Sequence, residues 1–184
     1  MRLFAAVPLT PPAREEVAGL LTRLRERDLP VRWVADEGLH LTLKFYGEVA
    51  PERLEVIGEA VRQAGEGAEP LPLRLADLGA FPGGGRARVL WVGIEGPPAL
   101  ELLQDRLERR SDAIGFPPEG QPFRPHVTLG RVREGERCPL AEVEQAAAEY
   151  ERVPFLATDL VLYESVPSRG RPRYEPRVTV ELGG

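Results

Sequence analysis

The only two histidines of this 184-residue chain stand in near-identical settings, LHLTLKFYG at 39–47 and PHVTLGR at 125–131. In each, threonine follows two places after the histidine and leucine comes next. The text upstream repeats as well. VPLTPPA at 7–13 closes a strand-like pattern and opens a helix-like one, and IEGPPA at 94–99 does the same. From Pro11 to His40 is 29 residues, and from Pro97 to His126 is again 29. LADLGAF at 75–81 echoes ATDLVLY at 157–163. A shared spacing carrying a shared motif is the mark of a duplicated unit, and such a repeat constrains the fold before any single motif does.

The unit reads as strand, helix, strand, helix, strand. Residues 2–9 form a first strand. Thr10 can cap a helix with Pro11 and Pro12 in its first turn, and Val17, Leu20, Leu21 and Leu24 recur at helical spacing. VRWV is a short extended piece. In the strand 39–46, alternation puts Leu39, Leu41, Leu43 and Phe45 on one face and His40, Thr42, Lys44 and Tyr46 on the other. A helix follows, beginning near Pro51. LPLRLADL and RARVLWVGI read as strands joined by the turn FPGGG, which lacks the lysine and spacing of a phosphate-binding loop. PPALELLQDRLERRSDAI is a helix, PHVTLGR a strand, PLAEVEQAAAEYE a helix, PFLATDLVLYES one strand and PRYEPRVTVEL a last strand.

The expected fold is therefore α+β. Residues 1–184 form one bilobal domain, whose duplicated units supply two antiparallel sheets facing a central cleft, with helices outside. A pseudo-twofold axis would bring the two HxT faces into opposition. The hydrophobic fraction of 42% suits a globular chain. No apolar run approaches ~18 residues, so no membrane span is expected. The single cysteine, Cys138, cannot form an internal disulfide. A cytoplasmic monomer is the expectation. A net charge of −5 argues against a dedicated duplex-DNA binder. Of 24 basic residues, 23 are arginine and one is Lys44, a bias that GC-rich codons explain.

Two opposed imidazoles suit acid–base chemistry near neutral pH, one taking a proton from water and the other giving one to a leaving oxygen. Threonine hydroxyls on the same faces can hold non-bridging phosphate oxygens, and an arginine at a strand end adds charge-assisted bonds. Zinc catalysis fits poorly, because zinc needs three or four ligands and the matched positions here are threonines. A serine hydrolase lacks its G-x-S-x-G and leaves the doubled threonine unexplained.

His40-Leu41-Thr42-Leu43 and His126-Val127-Thr128-Leu129, with their flanks LHLTLKFYGEV and FRPHVTLGR, resemble the signature of the 2H phosphoesterase superfamily. The likeness is strongest to its RNA 2′,3′-cyclic phosphodiesterase branch, also called 2′-5′ RNA ligases. LYES and the Gly-Arg-Pro-Arg-Tyr after it fit the same branch. The resemblance implies hydrolysis of a 2′,3′-cyclic phosphate at an RNA end, tRNA fragments among the candidates, to leave a 2′-phosphate without metal or other cofactor. It implies His40 as acid, His126 as base, and Thr42 and Thr128 as phosphate holders. Arg131 matches a family arginine near the phosphate, and Phe45 an aromatic that stacks on the terminal base.

Lys44 and Tyr163 are further binding candidates, Lys44 from sharing the His40 face. Arg169, Arg171, Arg173 and Arg177, against one Glu175, make a basic loop able to track RNA backbone. Trp33 and Trp91 read as packing or cleft-edge residues. Two alternatives keep the chemistry: 2′-5′ ligation, or action on small cyclic nucleotides or ADP-ribose cyclic phosphate. One of another class is a non-catalytic RNA-end-binding module.

Overall fold

Prolines start the two long helices. α1 (Pro11–Arg25) carries Pro11 and Pro12 in its first turn, and α3 (Pro98–Asp112) follows Pro97 at its N-cap. The Thr10 hydroxyl does not cap α1 but donates to the Leu156 carbonyl, a long-range tie. α1 buries Ala13, Val17, Leu20, Leu21 and Leu24, and α3 buries Leu100, Leu103 and Leu107. Each such leucine contributes about 1.5–3 kcal/mol of apolar transfer. The structure is a computed structural model and describes residues 1–83 and 86–184. The FPGGG turn read from sequence falls partly on Gly84 and Gly85, outside the described residues.

The other helices are α2 (Leu54–Gly65) and the short α4 (Leu140–Ala146). The strands are β1 (Arg2–Pro8), β2 (Val31–Trp33), β3 (His40–Glu48), β4 (Leu71–Phe81), β5 (Val89–Glu95), β6 (His126–Val132), β7 (Pro154–Ala157), β8 (Asp159–Val166) and β9 (Arg173–Glu181). They form two sheets, ordered β3-β1-β8-β9 and β2-β6-β5-β4-β7. Every pairing is antiparallel. The class is α+β.

PFLATDLVLYES is not one strand. It breaks at Thr158 into β7 and β8, which belong to different sheets. The break reflects a larger rearrangement. β8, from the second repeat, pairs with β1 of the first, and β4, from the first repeat, pairs with β5 of the second. The echoed segments thus occupy equivalent places in exchanged sheets: Tyr163 lies opposite Phe4, and Phe81 opposite Val89. The helices follow the exchange. α3 packs on β3 beside α2, whereas α1 packs on β7 beside α4. Arg106 of α3 donates to the Gln63 and Glu66 carbonyls beside α2, and Arg23 of α1 to Ala146 of α4.

Candidate active site

His40 and His126 each begin a strand, β3 and β6, and these two strands approach one another where the sheets meet. Each ring is anchored in the same way. His40 Nδ1 lies 2.5 Å from the Gly38 carbonyl and His126 Nδ1 lies 2.7 Å from the Arg124 carbonyl. A carbonyl only accepts, so Nδ1 carries the proton in both rings and Nε2 is left for other chemistry. Thr42 and Thr128 share the faces of their histidines and are half-buried. Among the described residues neither hydroxyl has a hydrogen-bond partner.

Alternation then fails at the same place in both strands. Ala5 pairs with Lys44 but Ala6 pairs with Thr42, which leaves Leu43 as an extra residue. Leu90 pairs with Gly130 but Trp91 with Thr128, which leaves Leu129 extra. Each is a β-bulge, which puts two successive side chains on one side and re-aims those that follow. This overturns part of the alternating reading. Phe45, expected on the leucine face, turns to the open side with 52% of its surface exposed. Arg131, its counterpart, is likewise exposed.

Lys44 does not share the His40 face and is not placed to meet phosphate. The bulge turns it inward, 3% exposed, where Nζ donates to Glu108 Oε2 at 2.6 Å and to the Pro117 carbonyl at 2.7 Å. Tyr46 is buried beside it, its hydroxyl 2.9 Å from Ser111 Oγ, and burial pushes its phenol up to about 12. At the Lys44 position β6 has Gly130. A Cβ there would lie 2.6 Å from Val31 Cγ1 and 2.8 Å from Trp33 Cε3, because β2 packs against this end of the second sheet.

Aromatic rings surround both histidines. Phe4 stacks on His40 at 4.8 Å, Tyr174 meets it edge-on at 5.2 Å, and Tyr163 stands 6.1 Å away. Phe81 meets His126 edge-on at 5.1 Å and Trp91 lies at 6.0 Å. Trp91 lies across β4, and Gly79 makes room for it: a Cβ at Gly79 would be 2.2 Å from the indole. Burial pushes the His40 pKa from its ordinary 6.5 down to about 4, opposed by the Gly38 hydrogen bond.

Tyr174 stands on β9 of the first sheet. Its ring packs on Gly38, beside His40 on the first sheet. Burial raises its phenol pKa, opposed by the positive charges of Arg131, on the second sheet, and Arg2. Tyr163 is therefore joined at the site by Phe4, Tyr174, Phe81 and Trp91, of which the sequence reading offered only Trp91, as a packing or cleft-edge residue, and Tyr174, as the end of Gly-Arg-Pro-Arg-Tyr. Phe81 was within reach, as the counterpart of Tyr163 in the echoed segments. Tyr174 has no counterpart in the echoed segments, and its signal was the Gly-Arg-Pro-Arg-Tyr that it ends. Of the arginines read as a basic loop, Arg173 and Arg177 lie instead on β9, where Glu175 holds Arg173 and Glu164 holds Arg177. Among the described residues no group of three His, Cys, Asp or Glu side chains gathers as a metal site, and no helix is long and apolar enough to cross a membrane.

The profile of the 2′-5′ RNA ligase superfamily matches residues 11–168. The chain is similar to the RNA 2′,3′-cyclic phosphodiesterase of Aeropyrum pernix, 36% identical over 86% of this chain and 93% of that protein. It is similar to the one from Methanothermobacter thermautotrophicus, 37% identical over 78% of each. Among solved structures, a Thermus thermophilus protein superposes with a TM-score of 0.83 at 27% identity, covering 100% of this chain and 99% of that one. Escherichia coli LigT complexed with 3′-AMP gives a TM-score of 0.75 at 30% identity, covering 100% and 98%. With its doubled motif, its paired sheets and these matches, the chain belongs to the 2′-5′ RNA ligase superfamily of 2H phosphoesterases.

Proposed function

We propose that the chain hydrolyses the 2′,3′-cyclic phosphate at an RNA end to a 2′-phosphomonoester, with the two histidines as acid and base and no metal. The observation that carries the reading is the matched anchoring of both rings: Nδ1 is committed to a carbonyl and Nε2 is left over, with a free threonine hydroxyl on the same face. The relatives' shared name supports the substrate.

Water attacks phosphorus in line with the P–O3′ bond while His126 Nε2 takes its proton. As that bond breaks, His40 Nε2–H protonates O3′, leaving a 3′-hydroxyl and a 2′-phosphate. Thr42, Thr128 and Arg131 hold the non-bridging oxygens, where hydrogen bonds count most as charge builds. Phe45 offers an open ring to the terminal base. Tyr163 walls the His40 side.

The lowered His40 pKa favours a second reading, in which the roles are exchanged. A histidine titrating at about 4 is uncharged at neutral pH and is ready to act as base. As acid it must gain its proton together with the anionic substrate, whose charge opposes the burial.

The test is product analysis on an RNA ending in a 2′,3′-cyclic phosphate, in EDTA. A 2′-phosphate is expected. A 3′-phosphate would overturn the choice of leaving group, and an intact cyclic end would reject hydrolysis. A 3′-bridging sulfur substrate, whose thiolate leaves without a proton, separates the roles: it rescues loss of the acid histidine and not loss of the base.

A further inference from the structure

At the start of β1, the strand whose Phe4 packs on His40, lies a cavity of about 580 Å³. Its walls include Arg2, Ser165, Ser168 and Arg171. β1 connects the two places. Ala6 pairs with Thr42, Phe4 packs on His40, and Arg2 lies four residues from Ala6 on the same strand face, roughly 13 Å away.

The charges are sorted in a way that favours an anion. Two carboxylates also line the cavity, Glu48 and Glu164. Glu164 is neutralised by Arg177, and Glu48 points largely into solvent, 77% exposed. Arg2 and Arg171 have no carboxylate partner among the described residues, while their neighbours Arg173 and Arg177 do. Two serine hydroxyls stand beside them. Guanidinium groups and hydroxyls without an acid to hold, in a trough larger than one phosphate, fit a phosphodiester backbone.

We propose that this cavity is the subsite for the RNA backbone leading to the cyclic-phosphate end, with Arg2 and Arg171 gripping the internucleotide phosphates. The protein thereby prefers an oligonucleotide over a nucleoside cyclic phosphate. The inference rests on the hydrolytic reading above for its orientation. It differs from a general basic loop by naming which two arginines act.

The experiment has a binding arm and a turnover arm. Binding uses a fluorescein-labelled trinucleotide ending in a 2′-phosphate, compared with a nucleoside 2′-phosphate. Arg2→Ala and Arg171→Ala should each weaken the trinucleotide about tenfold more than the mononucleotide. Each should also lower the salt slope of trinucleotide binding by about 0.7. Turnover on the matching cyclic phosphates should show the same difference, chiefly in KM, with melting temperatures unchanged. Equal losses on both ligands, or none on the trinucleotide, would overturn the subsite. If the wild type binds the trinucleotide through these arginines yet opens no cyclic phosphate, the hydrolytic reading fails and the subsite stands.

Discussion

Around His40 stand Phe4, Tyr163 and Tyr174; around His126 stand Phe81 and Trp91. Both rings are tethered through Nδ1 to the carbonyl two residues earlier, and both strands bulge at the same step. At this step the backbone treats the halves alike, and the side chains do not. Tyr174 closes one half only. Two residues after the bulged leucine, one strand presents an aromatic ring where the other presents a guanidinium. Behind the sheet, one has a buried lysine and the other a glycine. Duplication supplied two equivalent frames, and substitution made them differ. One half presents the open Phe45 ring and sets three aromatic rings around its histidine, and the other presents Arg131 and sets two.

The hardest test of this division is removal of each histidine. His40→Ala and His126→Ala should each lower turnover by about 10²–10⁴-fold while the fold survives. Steady-state hydrolysis of the RNA cyclic phosphate measures it, with circular dichroism as the check. Near-normal activity in either variant would break the paired scheme.

Next in size is the unequal support behind the two bulges. Lys44→Met leaves the largely covered Glu108 carboxylate with, among the described residues, only Gln104 as a hydrogen-bond partner, and should cost about 3–5 kcal/mol of stability. Urea unfolding at pH 7 reads this, and KM should barely change, because Lys44 faces α3. A raised KM with intact stability would return the lysine to the cleft.

The asymmetry in burial has a pH signature. Folded His40 titrates at about 4 and an unfolded histidine near 6.5. Between those values the unfolded chain binds more protons. Stability should therefore hold above pH 6.5 and decline as pH falls toward 4, by on the order of 3 kcal/mol in all. Denaturant melts of wild type and His40→Gln at pH 7 and pH 4.5 isolate this share. A histidine resonance titrating near 6.5 that vanishes in His40→Ala would remove the basis of the asymmetry. Smallest is Phe45→Ala, expected to cost about 1–3 kcal/mol of base stacking, seen in KM.

Much of this was legible in the sequence because it is local. The doubled motif, the proline helix starts and the matched spacing each sit within a few residues, and they located His40, Thr42, His126 and Thr128. The facing of Lys44 was not legible. A bulge adds one residue to a strand without altering its composition, so strict alternation carried Lys44 to the wrong side and Phe45 with it. Partner choice was hidden as well. Nothing in LADLGAF or ATDLVLY says which sheet each joins, since pairing depends on contacts distant in sequence, and the break at Thr158 exists only because β7 and β8 part company there.

The crossing of β4 and β8 between sheets also bears on origins. A single ancestral copy of the unit would leave its β1 counterpart with one open edge and its last strand without a neighbour. Two copies could satisfy each other by trading that strand, and in doing so would bring their histidines to one seam.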